Sequence, residues 1–275
     1  MKENSVNSKI KFAGIGALAA IAVASPFVLD IQTKKSEAVA QTAAVAAQVA
    51  SDSNFSAAQK TELEAMMKDF IMKNPKVLMD SVNGYREQEQ KTQEDAAVQA
   101  LKDNWDYLAK GTLPDVGPKT ADITIVEFFD YNCGYCKQGY EAVQKGLDND
   151  KNVRFVFVDF PILSESSHLA SKYALAAQKQ NKYFELHAEL MKYKGPKTEE
   201  SILNLAKSVG IDTAKLKADA NSPDIEATIA KNTQLAQKLA ISGTPAFIIG
   251  DQVIRGYIPY EGMKTMIDAE RKKKG

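Results

Sequence analysis

Cysteine is scarce in this sequence, and Cys133 and Cys136 are the only two among 275 residues. A disulfide between them would close a very small loop, and the stabilising effect of a disulfide grows with loop length. This scarcity excludes a fold held together by several disulfides. It indicates that the pair of thiols acts chemically rather than as a structural bridge.

Histidine is equally scarce, with His168 and His187 the two present. A structural zinc ion needs four ligands, so the two thiols would need two more. Neither histidine lies near a second ligand at finger-like spacing, and both fall in segments with a helical pattern, where core or surface roles are commoner. The sequence favours a redox dithiol over a metal site or an inert bridge, and it predicts no metal and no cofactor.

Net charge is also absent, because 35 Lys and Arg residues balance 35 Asp and Glu residues. Binding to phosphate backbones needs a basic surface. Nucleic acid is therefore not predicted as a partner.

Long apolar runs are confined to the N-terminus, where Lys2, Lys9 and Lys11 precede the run Phe12–Leu29. A positive segment before a compact apolar run has the form of a secretory signal peptide. We predict a signal peptide over residues 1–24, with an uncleaved membrane anchor as the alternative, and a periplasmic or other extracytoplasmic location. Residues 25–54 are rich in Ala, Gln and Ser and are predicted to be a linker.

Apolar residues recur at helical spacing from residue 55 to residue 111, as in Leu63, Met66, Met67 and Phe70. Proline suits the first turn of a new helix, so Asn74-Pro75 divides this segment into two helices. We predict an N-terminal helical arm over residues 55–111. The arm either packs on its own domain or pairs with copies of itself, and we favour a homo-oligomer.

Residues 112–275 are predicted to form a compact domain, because the Pro- and Gly-rich stretch Thr112–Lys119 precedes several strand-like segments. Ile123–Phe129 and Val153–Phe160 are nearly continuous apolar runs, typical of strands buried on both faces. The helical segment between them completes a β-α-β unit with a parallel strand pair. Residues 162–239 are predicted to be a helical insertion, followed by a hairpin around Gly250-Asp251 and a final helix.

The segment VEFFDYNCGYC, residues 126–136, places both cysteines where a buried strand leads into a helix. A thiol at a helix N-terminus meets unpaired backbone N–H groups and the positive end of the helix dipole, which lower its pKa. Cys133 has this position, and Cys136 lies one turn further, where it can resolve a mixed disulfide. The spacing predicts a reversible dithiol–disulfide switch.

With this motif and SGTPAF at residues 242–247, the sequence resembles the thioredoxin superfamily and, within it, the DsbA-like exported thiol oxidoreductases. The segment FIMKNPKVLMDSV at residues 70–82 resembles the ScsC-like subgroup, which has an N-terminal helical arm. The resemblance implies an α/β class protein with a thioredoxin fold, an inserted helical domain and a preceding helical arm.

The resemblance also implies roles for individual residues. Cys133 matches the nucleophile and Cys136 the resolving cysteine, while Pro245 matches a cis-proline that lies opposite the disulfide and helps bind extended substrate. Thr244 would present its backbone to an extended substrate, and the dipeptide Gly134-Tyr135 would contact the substrate between the two cysteines. Glu127, six residues before Cys133, matches a buried acid. We expect its pKa to be raised and its carboxyl to exchange a proton with Cys136, an outward-facing side chain being the alternative.

The dipeptide departs from strongly oxidising DsbA proteins, which have Pro-His where this sequence has Gly134-Tyr135. Tyrosine cannot supply the positive charge that stabilises a thiolate, so we expect a less oxidising disulfide. The predicted enzyme forms or rearranges disulfides in unfolded or misfolded secreted proteins, with isomerase or exchange activity favoured over a pure oxidase. A membrane thiol oxidoreductase is the predicted redox partner. A monomeric oxidase is one alternative, and a non-enzymatic surface or adhesion protein on a thioredoxin-like scaffold is the other.

Overall fold

The computed structural model describes residues 55–274 and divides the chain into two compact units, with the division after Leu78. The predicted signal peptide and linker, residues 1–24 and 25–54, lie outside the described residues. Within residues 55–274, no helix is long and apolar enough to cross a membrane.

Helix α1 (Ala57–Lys73) belongs to the first unit and buries none of its side chains. It begins at a capping box in which Ser56 and Gln59 bond each other's backbone N–H groups. Its apolar side chains follow helical spacing, and Leu63, Met66, Met67, Phe70 and Ile71 are 42% to 64% exposed. Helix α2 (Pro75–Trp105) begins at proline, as predicted, and continues beyond the division between the units.

The second unit contains a five-stranded sheet and seven further helices among the described residues. The strands are β1 (Asp115–Val116), β2 (Ile123–Phe129), β3 (Val153–Asp159), β4 (Ala246–Ile249) and β5 (Gln252–Arg255). The helices are α3 (Gly134–Asn149), α4 (Glu165–Ala177), α5 (Tyr183–Lys192), α6 (Glu199–Ser208), α7 (Thr213–Ala220), α8 (Pro223–Lys238) and α9 (Tyr260–Lys274).

The sheet order is β1-β3-β2-β4-β5, with β2 and β3 parallel and the other pairs antiparallel. The predicted β-α-β unit and the hairpin around Gly250 are confirmed, and Gly250 has a φ of +64° that suits glycine. Helices α4 to α8 lie between β3 and β4 in the chain. The predicted thioredoxin fold with a helical insertion is confirmed.

Strand β1 lies inside the segment that we expected to be only a boundary. Its two residues pair antiparallel with β3, and the amide of Phe157 donates to the carbonyl of Pro114 at 2.8 Å. An ion pair between Asp115 and the buried Arg154 holds this edge of the sheet. The pairing depends on that long-range contact, so no local apolar pattern indicates it.

Both faces of the sheet are buried, and alternate residues of β2 serve different cores. Ile125 and Phe129 pack in a cluster with residues of α3, α5 and α9. Val126 and Phe128 pack in a second cluster that includes Leu101 from the C-terminal part of α2. A π-helical turn, Asp106–Lys110, follows α2 and adds Leu108 to the second cluster. The last turns of α2 are therefore part of the core of the second unit.

Candidate active site

The loop between β2 and α3 carries both cysteines into position. Asp130, fully buried at the end of β2, accepts hydrogen bonds from the backbone N–H groups of Asn132 (2.7 Å), Ile162 (2.9 Å) and Leu163 (3.0 Å). Its own carbonyl accepts the Cys133 amide at 3.1 Å. This carboxylate therefore joins the cysteine loop to the start of the helical insertion. Asp130 was not among the predicted site residues, although a charged residue directly after a buried strand was a visible signal.

Cys133 is the N-cap of α3, as its position in the sequence indicated. Its Sγ accepts a hydrogen bond from the Cys136 amide at 3.3 Å, and its S–H donates to the Thr244 carbonyl at 3.2 Å. The hydrogen bond from the Cys136 thiol, aided by backbone N–H groups of Cys136 and Tyr135, lowers the pKa of Cys133 to about 5. A thiol with this pKa is a thiolate at neutral pH, the form that attacks disulfides.

Cys136 lies one helical turn further and is fully buried. Burial raises the pKa of its thiol, and the hydrogen bond to Cys133 and the charge of Glu127 act in the same direction. Both cysteines are free thiols in this structure. The site thus holds one thiol that ionises readily beside one that keeps its proton.

Glu127 is 1% exposed and lies in the middle of β2, so the predicted burial is confirmed. Burial, together with the negative charge of Cys133, raises the pKa of this carboxyl to about 8. Its Oε1 is buried without a hydrogen-bond partner. Gly139 of α3 faces it so closely that a Cβ there would lie 3.5 Å from Oε1. The carboxyl therefore lies against the helix that carries Cys136.

The peptide bond between Thr244 and Pro245 is cis, the geometry that the resemblance implied. This loop immediately precedes β4, the strand paired with β2, and the Thr244 carbonyl contacts the thiol of Cys133. The carbonyl of Pro245 accepts the Gly256 amide at 2.9 Å, which ties the end of β5 to the same loop. The segments around residues 133 and 245, distant in sequence, thus form one site.

The dipeptide between the cysteines points outward. Gly134 is exposed, with no atom within 4 Å of the position of a Cβ, and Tyr135 is 61% exposed. Both are therefore accessible beside the reactive thiol.

A further polar cluster supports the loop from the insertion side. Asn132 donates to the hydroxyls of Ser164, Ser166 and Ser167 at 2.8 to 2.9 Å. Its Oδ1 accepts from the buried ammonium of Lys197 at 3.2 Å, and burial lowers the pKa of that lysine to about 8. The sequence gives no sign of this cluster, because its members come from three separate segments.

The two histidines lie in helices, as expected. His187 is fully buried, with aromatic neighbours on several sides and its Nδ1 3.1 Å from the hydroxyl of Tyr131, and burial lowers its pKa to about 3. His168 pairs with Glu226 at 3.1 Å. Within the part of the chain that the structure describes, no three His, Cys, Asp or Glu side chains are grouped to hold a metal.

Comparison with known proteins gives concordant matches. A family model for a DSBA-like thioredoxin domain matches residues 124–268. Disulfide bond formation protein D from Bacillus subtilis is 29% identical over 174 residues, 58% of this chain and 78% of that protein.

Solved structures match a larger part of the chain. A thioredoxin-like oxidoreductase from Silicibacter pomeroyi is 40% identical with a TM-score of 0.59, covering 61% of this chain and 97% of its own. A linker-deletion mutant of Proteus mirabilis ScsC is 29% identical with a TM-score of 0.62, covering 81% of this chain and 99% of its own. The family model spans more than half of the chain, so the chain belongs to the DsbA-like thioredoxin-domain family, whose members are protein thiol:disulfide oxidoreductases.

Proposed function

We propose that this protein exchanges disulfide bonds with unfolded or misfolded secreted proteins through Cys133 and Cys136. The observation that carries this proposal is the pair of opposite pKa shifts at the N-terminus of α3. Disulfide exchange needs one thiol that attacks as a thiolate and a second thiol that later resolves the mixed disulfide. The two environments provide this division of roles.

The proposed exchange has two steps. The Cys133 thiolate attacks one sulfur of a substrate disulfide, a bond forms between them, and the second substrate sulfur leaves as a thiolate. Glu127 then accepts the proton of Cys136, and the resulting thiolate attacks Cys133 Sγ, which oxidises the protein and releases the reduced substrate. The reverse sequence oxidises a substrate. If another substrate thiol attacks the mixed disulfide first, the substrate is isomerised and the protein stays reduced.

Exposed apolar side chains around the thiol favour a polypeptide substrate. Between residues 86 and 273, the large apolar side chains that are exposed by 39% or more are Tyr135, Ile162, Leu163 and Tyr257. Ile162 and Leu163 belong to the loop held by Asp130, and Tyr135 lies between the cysteines. Exposed apolar side chains beside a reactive thiol favour the binding of apolar groups, and unfolded chains offer such groups.

We favour exchange and isomerisation over pure oxidation for two reasons. Gly134-Tyr135 supplies no positive charge beside the thiolate. Among residues 55–78, the described part of the first unit, the apolar stripe of α1 is also exposed, which favours pairing with further copies of the chain. Several linked sites around one bound substrate would raise their effective concentration. A monomeric oxidase remains the second candidate, because the low pKa of Cys133 favours the reduced, product form of such an enzyme.

The proposed location is extracytoplasmic, on the strength of the charged and apolar N-terminal sequence. An isomerase must keep Cys133 reduced in an oxidising compartment, so we propose a membrane thiol oxidoreductase as its redox partner.

Refolding assays with the full chain and with a variant that starts at Met79 test this proposal. We expect the full chain to be an oligomer by light scattering and to restore activity to a scrambled disulfide protein. The shortened variant should be a monomer that still oxidises a reduced substrate but loses most of the scrambled-substrate activity. Protein with alkylated thiols is the control. A full chain that is monomeric, or that only oxidises, leaves the oxidase as the function, and a protein inactive in both assays refutes the proposal altogether.

A further inference from the structure

Two exposed aromatic rings, Tyr135 and Tyr257, stand beside the reactive thiol, and we refer to them as the tyrosine pair. Their ring centroids lie 6.5 Å apart and their planes are inclined by 29°. Tyr135 is 61% exposed and Tyr257 is 39% exposed. Aromatic rings usually dominate the energetics of cores and interfaces by being buried. A pair left in contact with solvent at the site of exchange is therefore a surface open to another apolar group.

Backbone contacts fix the tyrosine pair relative to the site. Strand β5 ends at Arg255, opposite Ala246, and the Gly256 amide then donates to the Pro245 carbonyl at 2.9 Å. Gly256 has a φ of +114°, a conformation that favours glycine and turns the chain before Tyr257. The other ring follows Cys133 by two residues. The pair is thus anchored to both segments that meet at the thiol.

We propose that the tyrosine pair is a subsite for an aromatic side chain adjacent to the reacting cysteine of the substrate, and that Tyr257 determines this specificity. The inference rests on the proposed function, because it places a substrate sulfur on Cys133 and the substrate backbone along Thr244 and Pro245. Residues next to that sulfur then lie within reach of the Gly256–Tyr257 turn. Beyond Tyr257 lies a cleft between α3 and α9 whose lining is mixed, with Gln138, Glu141 and Lys145 beside Pro259 and Tyr260.

Matched peptide disulfides test this subsite. Two peptides that differ only in Phe or Ser next to the cysteine, each in a mixed disulfide with a chromogenic thiol, are mixed with the reduced full chain. Cys133 attacks the peptide sulfur, the peptide–chromophore bond breaks, and the released thiolate reports the rate. An aromatic contact is worth about 0.5–1.5 kcal/mol beyond burial, so we expect the Phe peptide to react severalfold to about tenfold faster. The Tyr257→Ala variant should bring the two rates close to equality, and Tyr257→Phe should keep the preference.

Controls separate this inference from the proposed function. Tyr85→Ala removes a tyrosine that is 67% exposed on α2 and should leave the preference unchanged. The rate of reduction of 2-hydroxyethyl disulfide, which has no aromatic group, is measured for each protein, and each peptide rate is divided by it so that changes in thiol reactivity are removed. A wild type that reacts equally with both peptides, or a Tyr257→Ala variant that keeps the Phe preference, overturns the subsite while exchange itself stands. A wild type that reacts with none of the disulfides overturns the proposed function.

Discussion

Replacing Cys133 by serine is expected to lower the rate of disulfide exchange by about 10³-fold or more, because a neutral hydroxyl cannot replace the thiolate nucleophile. Cys136→Ser should behave differently. Its Cys133 thiol can still attack, but the second step is blocked, so a mixed disulfide between protein and substrate should accumulate. Mass spectrometry after mixing each reduced variant with a substrate disulfide distinguishes the two outcomes.

The contrast between the two variants shows which cysteine attacks the substrate and which resolves the mixed disulfide. Substitution at the buried Cys136 affects packing as well as chemistry, so circular dichroism must show that both variants are folded. An adduct that forms on Cys133→Ser, through Cys136, would reverse the roles that the two pKa shifts indicate. Exchange at the wild-type rate in Cys133→Ser would exclude the proposed mechanism.

Replacing Glu127 by glutamine is expected to slow resolution of the mixed disulfide by about 10²-fold near pH 8, the lower end of the usual effect of a general base. In the wild type this step should speed up as pH rises through the pKa of the carboxyl, which burial still raises in the mixed disulfide although Cys133 no longer carries a charge there. The amide cannot accept a proton, so the profile of Glu127→Gln should lack this rise. Stopped-flow measurement of substrate release from a preformed Cys133 mixed disulfide gives the profile. Equal profiles in the two proteins would remove Glu127 from the reaction.

The same substitution should change the pH dependence of stability. Burial raises the pKa of Glu127, so the folded chain holds a proton that the unfolded chain releases above the ordinary carboxyl pKa. The contribution of this group to the free energy of unfolding is fully present below the ordinary carboxyl pKa. It is lost as pH rises from there through about 8, by at most about 1.4 kcal/mol per pH unit. Urea unfolding of the reduced proteins should show this loss in the wild type. Between pH 5 and pH 8, the free energy of unfolding of Glu127→Gln should rise relative to that of the wild type.

Other titrating groups do not obscure this comparison. The lowered pKa of Cys133 makes stability rise with pH over the same window, which is opposite to the effect of Glu127. Burial raises the pKa of Asp159 to about 7 and adds a slope of the same sign as Glu127 below that pH. Both groups are present in the wild type and in the variant, so the Asp159 contribution cancels in the difference, and the Cys133 contribution cancels apart from its charge interaction with Glu127. A difference that is constant with pH would show that the carboxyl is ionised in the folded chain.

The sequence indicated those parts of the site that follow from local pattern. The apolar run of β2 and the helix after it place Cys133 at an N-cap, and the burial of Glu127 follows from the apolar residues on either side of it. The cis bond at Pro245 came only from family resemblance, because a Thr-Pro dipeptide alone fits an ordinary trans bond.

The site residues that were not predicted depend on contacts between distant segments. Lys197 reaches Asn132 from the loop before α6, across 65 residues, and no periodicity reports such a contact. Tyr257 was within reach of prediction. A hairpin centred on Gly250-Asp251 places Gly256 opposite Pro245, so counting along the two strands would have brought the tyrosine to the thiol.

The reduction potential of the Cys133–Cys136 pair tests the proposed exchange function most directly. It is measured by equilibration with glutathione, from the fraction of oxidised protein. Thioredoxin has a thiol pKa of about 7 and a reduction potential of about −270 mV. The strongly oxidising DsbA has a thiol pKa of about 3.5 and a reduction potential of about −120 mV. The pKa of about 5 for Cys133 lies between those of the two reference proteins, so we expect a reduction potential between theirs, which suits an exchanger. A value close to either of the two reference proteins would contradict the account, by indicating a reductant at one extreme and a dedicated oxidant at the other.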